Sequence, residues 1–371
     1  MTRTTRTTLA GAVAGLAALA LVGAGAPVTA APSAGKPVAT RLLSPLSLAV
    51  AGDGTVYYAQ NFAGTLHAQE PGEKARTVYA VKKKGDEVGA VDEHRGVVSF
   101  AVTTAKGQTS VGLINTNQND RVRTLDDLDA FEKKRNPDGK VVYGIRGIDE
   151  ACAAQFPAKG LPATYPGIVE SHPYATAISH GDGRDGVYVA DAAANAVFAW
   201  GAGHFRTVAV LPPVPVKVTD SLAETMKMPD CAIGRTYHFE AVPTDVEVAR
   251  NGDLYVSTLP GGPEDGSMAG FASVYRIDPH ATKPKPRKVV GGLTSATGLA
   301  VSPKGDLYVA QLFGGSVVKV RKGAKKATPF AKAMLPGDVE WTREGILATT
   351  GVLSGLEPGT KPAGKVELFG F

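Results

Sequence analysis

The stretch 302–320, SPKGDLYVAQLFGGSVVKV, decides how the chain is read. It runs as a Gly/Asp turn, a strand of alternating branched and small residues, a glycine loop and a second strand. The phrase returns. From Ser44 the chain reads SPLSLAVAGDGTVYYAQNFAGTLHA, from His172 HPYATAISHGDGRDGVYVADAAANAVFAW, and from Val242 VPTDVEVARNGDLYVSTLPGG. The quoted copy opens at Ser295 with SATGLAV, another (LPGDVEWTREGILATTGV) starts at Leu335, and a weaker one, VGAVDEHRGVVSFAVTT, sits at Val88. The anchor residues Tyr188, Tyr255, Tyr308 and Leu347 lie 67, 53 and 39 residues apart, so the copies differ mainly in the loops between them.

A four-stranded antiparallel unit of about 40 residues is the size of a propeller blade. One such sheet has two faces to bury, and radial packing lets each sheet cover the next. The expectation is an all-β fold, a six-bladed β-propeller filling residues 31–371 as a single domain, with a two-domain β arrangement as the alternative. Ring closure is assigned to KPVATRLL, from Lys36, pairing beside the terminal GKVELFGF. The pattern breaks at TLDDLDAFEKKRNPDG, where Leu125, Leu128 and Phe131 keep helical spacing and Thr124 is placed to cap. That short helix falls in the first of two long insertions, about 124–167 and 211–239.

The chain opens with two arginines, an apolar stretch from about Leu9 to Val22 and a small-x-small site ending at Ala30. This reads as a cleaved secretory signal, too short and too rich in Gly and Ala for a membrane span. The formal charge of +5 falls to +3 once Arg3 and Arg6 leave. The remaining lysines cluster in short runs typical of loops and edge strands, so nucleic acid is not an expected partner. Only Cys152 and Cys231 are present, and an oxidising compartment predicts a disulfide between them that staples the two insertions over one face of the ring.

The phrases DLDAFEKKRNPDGK, SHPYATAI followed by GVYVADAAANAVFAW, VAVLPPVPV and AVPTDVEVARNGDLYVSTLPG, in that order, resemble the ScyD/ScyE family of exported bacterial proteins over about residues 38–371. The resemblance implies a six-bladed propeller related to NHL-repeat and gluconolactonase-like proteins. It implies no particular reaction.

Propeller topology puts the loops entering the inner strands and those leaving the second strands on one face, around the channel mouth. Aligning the copies places Asp245 and Glu247 opposite Asp338 and Glu340, where three other units carry Ala49, Ala177 and Ala300 at the glutamate position. Four carboxylates there suit an oxygen-ligand cation (calcium, zinc or manganese, with Asp245, Glu247 and Glu340 as ligands) or an acid/base pair. Hydrogen bonding to inner-strand amides is the structural alternative. Asp191, Asn195, His172 and Gln311 border the same mouth as ligand-contact candidates, and Asp191 and Asn195 equally suit loop-holding. HGDGRDG is assigned to a turn on the opposite face.

No G-x-S-x-G elbow, phosphate loop or H-E-x-x-H pattern occurs. The expected function is that of an exported, monomeric binding or scaffold protein taking a small molecule, a glycan or an envelope protein. The alternative is a lactonase-like or esterase-like hydrolase using one divalent cation in the channel.

Overall fold

The computed structural model describes residues 35–158, 160–179, 186–263 and 267–371. The assigned signal segment and most of HGDGRDG lie outside the described residues. Six four-stranded antiparallel sheets form the blades, each running outward from an inner strand: 48–50, 87–94, 173–178, 243–248, 296–301 and 339–341. Every inner strand packs against the inner strands on both sides, and that of blade 6 returns to that of blade 1. The ring closes through the N-terminal strand Lys36–Leu42, which pairs antiparallel with Gly364–Gly370 as the outer strand of blade 6.

The recurring turn in the quoted phrase has a local cause. Gly54, Gly252 and Gly305 take φ of 91°, 83° and 84°, closing on Ala51, Ala249 and Ser302 with backbone hydrogen bonds of 2.9, 2.8 and 2.8 Å. That left-handed region excludes most side chains, so the turn is written with glycine each time.

Packing follows the radial logic. The buried apolar side chains divide into six clusters, one for each pair of adjacent blades. Ala49, Ala177 and Ala300, none above 3 % exposed, let the tyrosines Tyr57, Tyr188 and Tyr308 lie against them across the strand pair. Hydroxyls staple neighbouring inner strands: Thr176 Oγ1 donates to the Ala90 carbonyl at 2.5 Å and Thr244 Oγ1 to that of Ala296 at 2.8 Å.

The insertions hold more order than one helix. They build a seventh four-stranded sheet, ordered Thr164–Pro166, Val142–Gly144, Thr236–Phe239, Val214–Lys217, so each insertion supplies two strands. Three helices accompany it: α1 (Leu128–Arg135), α2 (Glu150–Ala153) and α3 (Asp220–Met226). Thr124 does not cap α1. It lies in the outer strand Arg121–Asp127 of blade 2, and Asp127 caps instead, accepting from the Ala130 N–H at 3.0 Å. A carboxylate at the N-cap also complements the helix dipole. Leu125, Leu128 and Phe131 do pack together, against Val189, Phe198 and Phe205 of blade 3.

Candidate functional site

Two groups of titratable residues lie near the axis and on the inserted face. The first lines the channel. In an inner strand, residues i and i+2 share a face, so Asp245 with Glu247, and Asp338 with Glu340, point the same way. A third aspartate joins them: Asp92 stands opposite Ser99 as Asp245 stands opposite Ser257. Blades 2, 4 and 6 therefore carry an aspartate at one level of the channel. Each reaches across to the next blade: Asp92 accepts from the Ile178 N–H at 2.6 Å, Asp245 from Leu299 at 2.5 Å and Asp338 from Leu48 at 2.8 Å. The second oxygen of each accepts the N–H of the following residue, Glu93, Val246 or Val339, at 2.7, 2.7 and 2.8 Å.

These aspartates are thus the axial ties of the ring. The odd-numbered blades have room for them because they carry small residues at that level. A Cβ on Gly298 would lie 2.5 Å from Asp338 Cα and 2.7 Å from its Oδ1, so only glycine fits there.

Electrostatics at this level are costly. Burial pushes Asp92 and Asp338 up to about 7. Burial and the neighbouring Asp338 charge raise Asp245 well above the usual carboxylate range, and a hydrogen bond from Asp245 favours the ionised form of Asp338. Burial also raises Glu247 and Glu340 well above that range, helped for Glu247 by Glu340 and for Glu340 by Asp338. Like-charged carboxyls this close share protons instead of ionising together.

The pH dependence follows from that sign. A carboxyl whose folded pKa is raised contributes stability that is complete below its unfolded value and is lost as pH rises through the folded value. The melting temperature is therefore expected to fall by about 5 °C between about pH 5 and about pH 8. Asp92→Asn with Asp338→Asn should flatten the slope. Calorimetry across that range checks it, and a melting temperature that climbs with pH would contradict the assignment.

The second group sits where the inserted sheet meets blades 3 and 4. Asp191 is fully buried; its Oδ2 accepts from Ser171 Oγ at 2.6 Å and its Oδ1 from the N–H groups of His172 and Ala194 at 2.8 and 3.0 Å. Gln311 acts alike in blade 5, its Oε1 accepting from the Thr294 N–H at 2.7 Å while its Nε2 donates to Ser316 Oγ at 3.1 Å. Gln60 repeats the lock in blade 1, accepting from Leu43 at 2.8 Å. In all three the last residue of the second strand holds the loop that enters the inner strand. His172 contributes its backbone to this lock, and its ring lies within electrostatic reach of Glu87 and Glu170, both raised chiefly by burial.

Asn195, left-handed at φ 51°, ties ring to insertion. Its Oδ1 accepts from the Val242 N–H at 3.1 Å and its Nδ2 donates to Asp138 Oδ2 at 3.0 Å. Tyr143 donates to the same oxygen at 3.0 Å. Burial and the Asp138 charge lift Glu240 to about 7, and burial with Asp191 and Asp138 lifts Glu132 to about 8. The disulfide between Cys152 and Cys231 joins the two insertions, reinforced by the Arg235–Asp149 ion pair at 2.7 Å.

Of the residues singled out from the sequence, Asp245, Glu247, Asp338 and Glu340 meet in the channel. His172 and Asp191 meet at the inserted face with Asn195, and Gln311 stands apart from both. Among the described residues, no three His, Cys, Asp or Glu side chains are grouped as a metal ion would require. Asp92, Asp138, Glu132 and Glu240 were absent from the reading; the aspartate of the Val88 copy was the one signal that would have found Asp92.

No family model matches the chain, and no curated protein sequence matches it. Solved structures do. A protein of unknown function from Bacteroides thetaiotaomicron is similar at 11% identity and TM-score 0.53, over 88% of this chain and 70% of that one. A glucose dehydrogenase is similar at 12% identity and TM-score 0.52, over 91% and 100%. Virginiamycin B lyase from Staphylococcus aureus is similar at 14% identity and TM-score 0.49, over 90% and 98%. At such identities the likeness concerns the fold alone, that of six-bladed propellers.

Proposed function

We propose that the chain is an exported binding propeller that holds an acidic peptide segment of an envelope partner on its inserted face. The observation that carries this reading is an open groove of about 630 Å³ bordered by Lys140, Val141, Val142, Arg146, Gly147 and Pro213. Among the described residues, neither cation has an acidic partner at ion-pair distance. Arg146 Nε is instead anchored on the Val142 carbonyl at 3.1 Å. The groove lies on a sheet made rigid by the disulfide, which suits recognition. Cations beside exposed aliphatic side chains, with no aromatic platform, favour an acidic peptide over a sugar.

Export rests on the N-terminal signal pattern and agrees with the disulfide. The resemblance to ScyD/ScyE proteins, carried by four ordered phrases, points the same way. Polyglutamate should bind the purified mature protein at low salt, and Lys140→Glu with Arg146→Glu should weaken it at least about tenfold. Absence of binding to polyglutamate by the wild-type protein would sink the reading.

A second reading has its own observation, the paired carboxyls Asp245–Asp338 and Glu247–Glu340 in the channel. Raised, proton-sharing acids of this kind can serve acid/base chemistry on an ester or lactone, with a divalent cation if one enters. Turnover of a simple lactone in the presence of calcium, zinc or manganese, abolished by Glu247→Gln with Glu340→Gln, would move the function to the channel.

A further inference from the structure

Buried polar atoms in folded proteins almost always find partners, and one that does not asks for a water, an ion or a strained role. Among the described residues, six buried side-chain atoms have no hydrogen-bond partner, and four of them belong to Glu132, Asn136 and Asp138: Glu132 Oε1 and Oε2, Asn136 Oδ1 and Asp138 Oδ1. All four are acceptors. All come from one short stretch, EKKRNPD, in which α1 ends and the chain turns back on itself.

Asn136 and Asp138 both lie against Gly167, and Glu132 is within electrostatic reach of Asp138. Asn136 caps α1 in a left-handed conformation, φ 37°, its N–H closing on the Glu132 carbonyl at 2.8 Å. Its side-chain Nδ2 is turned to the Gly167 carbonyl at 3.3 Å, which leaves Oδ1 facing away from that donor role. Asp138 approaches the same residue: a Cβ on Gly167 would collide with its Oδ1. Its other oxygen is fixed by two donors, Tyr143 Oη and Asn195 Nδ2, both at 3.0 Å. Glu132 and Asp138 are each 0 % exposed, and the two carboxyls lie within mutual electrostatic reach. Two donors orienting one oxygen of a carboxylate while the other stays free is how an outer shell sets a metal ligand.

We propose that Glu132, Asn136 and Asp138 form a binding site for one hard divalent cation, calcium by its chemistry. Two carboxylates and an amide supply only oxygen, the donor that calcium takes from Asp, Glu and Asn side chains, with backbone carbonyls and water completing its shell. Nitrogen and sulfur ligands, which zinc prefers, are missing from the set. Two carboxyls buried together resist ionising together; a cation between them favours the ionised pair. Bound there, it locks α1 and the insertion to blade 3 through the Asp138–Asn195 bond. This site is separate from the channel carboxyls and from the Lys140–Arg146 groove.

The test uses the mature full-length protein, freed of metal with chelator and titrated with calcium chloride. At about a hundred times Kd, the melting temperature should rise by about 5 °C, with one ion bound per chain by equilibrium dialysis. Magnesium should give a smaller shift. Glu132→Gln and Asp138→Asn should each abolish the calcium shift, and Glu132→Gln without calcium should melt no lower than the wild type, since the carboxyl it replaces is buried with no hydrogen-bond partner for either oxygen among the described residues. Glu247→Gln with Glu340→Gln should keep the shift. No saturable shift and no bound ion in the wild type would overturn the proposal. So would a shift that survives in Glu132→Gln and Asp138→Asn, or one lost only in the channel variant. None of these outcomes depends on whether polyglutamate binds.

Discussion

Asp338→Ala is expected to lower the melting temperature by about 8 °C, corresponding to about 4 kcal/mol. The carboxylate of Asp338 takes the N–H of Leu48 in blade 1 and that of Val339 in its own blade. Removing it strands two buried donors, each costing about 1–3 kcal/mol, where the closing blade meets the first. Asp245→Ala should behave alike, through Leu299 and Val246. The asparagine variants distinguish hydrogen bonding from mere bulk. An amide keeps one acceptor oxygen and carries no charge, so Asp338→Asn should cost most of this at acid pH and little above about pH 8, where the wild type has itself become strained by charge. Thermal melts of both variants at two pH values check this. An alanine variant that melts with the wild type would show that the axial ties contribute nothing.

Breaking the disulfide should have a comparable effect, but a different form. Cys152 and Cys231 are separated by 79 residues, a loop whose closure stabilises by about 4.5 kcal/mol in the chain-entropy description. The two insertions otherwise meet in their shared sheet through a single paired position, Gly144 with His238. In the variant Cys152→Ser with Cys231→Ser, the inserted sheet is expected to melt ahead of the ring, so that one calorimetric transition becomes two. Its core is continuous with blades 3 and 4 through residues such as Tyr237, Phe239 and Met268. The later transition should therefore also move down by a few degrees. A single transition at the wild-type temperature would mean that packing alone holds the insertions. In that event the groove at Lys140 and Arg146 owes its rigidity to the core.

The legible parts of the chain were those governed by local rules. The glycine turns at Gly54, Gly252 and Gly305 need left-handed backbone, and the alternation of the strands is fixed by the pleat, so the blades could be read one by one. Asp92 escaped because a bulge between Gly89 and Asp92 shifts that copy's register. The phrase VDEH consequently did not align with DVE in the other even-numbered blades. The helix boundary moved for a similar reason: Thr124 has a capping side chain, but pairing with Gly112 in the neighbouring strand claims its backbone and leaves the cap to Asp127. The strands of the inserted sheet were illegible because each is three or four residues long and the two pairs come from segments far apart.

The repeat by itself determined the number of blades, because residue type at a recurring spacing is written along the chain; the closing partner of the N-terminal strand followed from the need to join the ring's ends, and the pairing of the cysteines from there being only two. Tertiary structure alone decided that three aspartates tie even-numbered blades to odd-numbered ones, that Gln311 as well as Asp191 locks a loop, and that Glu132, Asn136 and Asp138 each keep an oxygen with no donor among the described residues. A carboxylate's role is set by what lies within three ångströms of it, and in a ring those neighbours come from another blade.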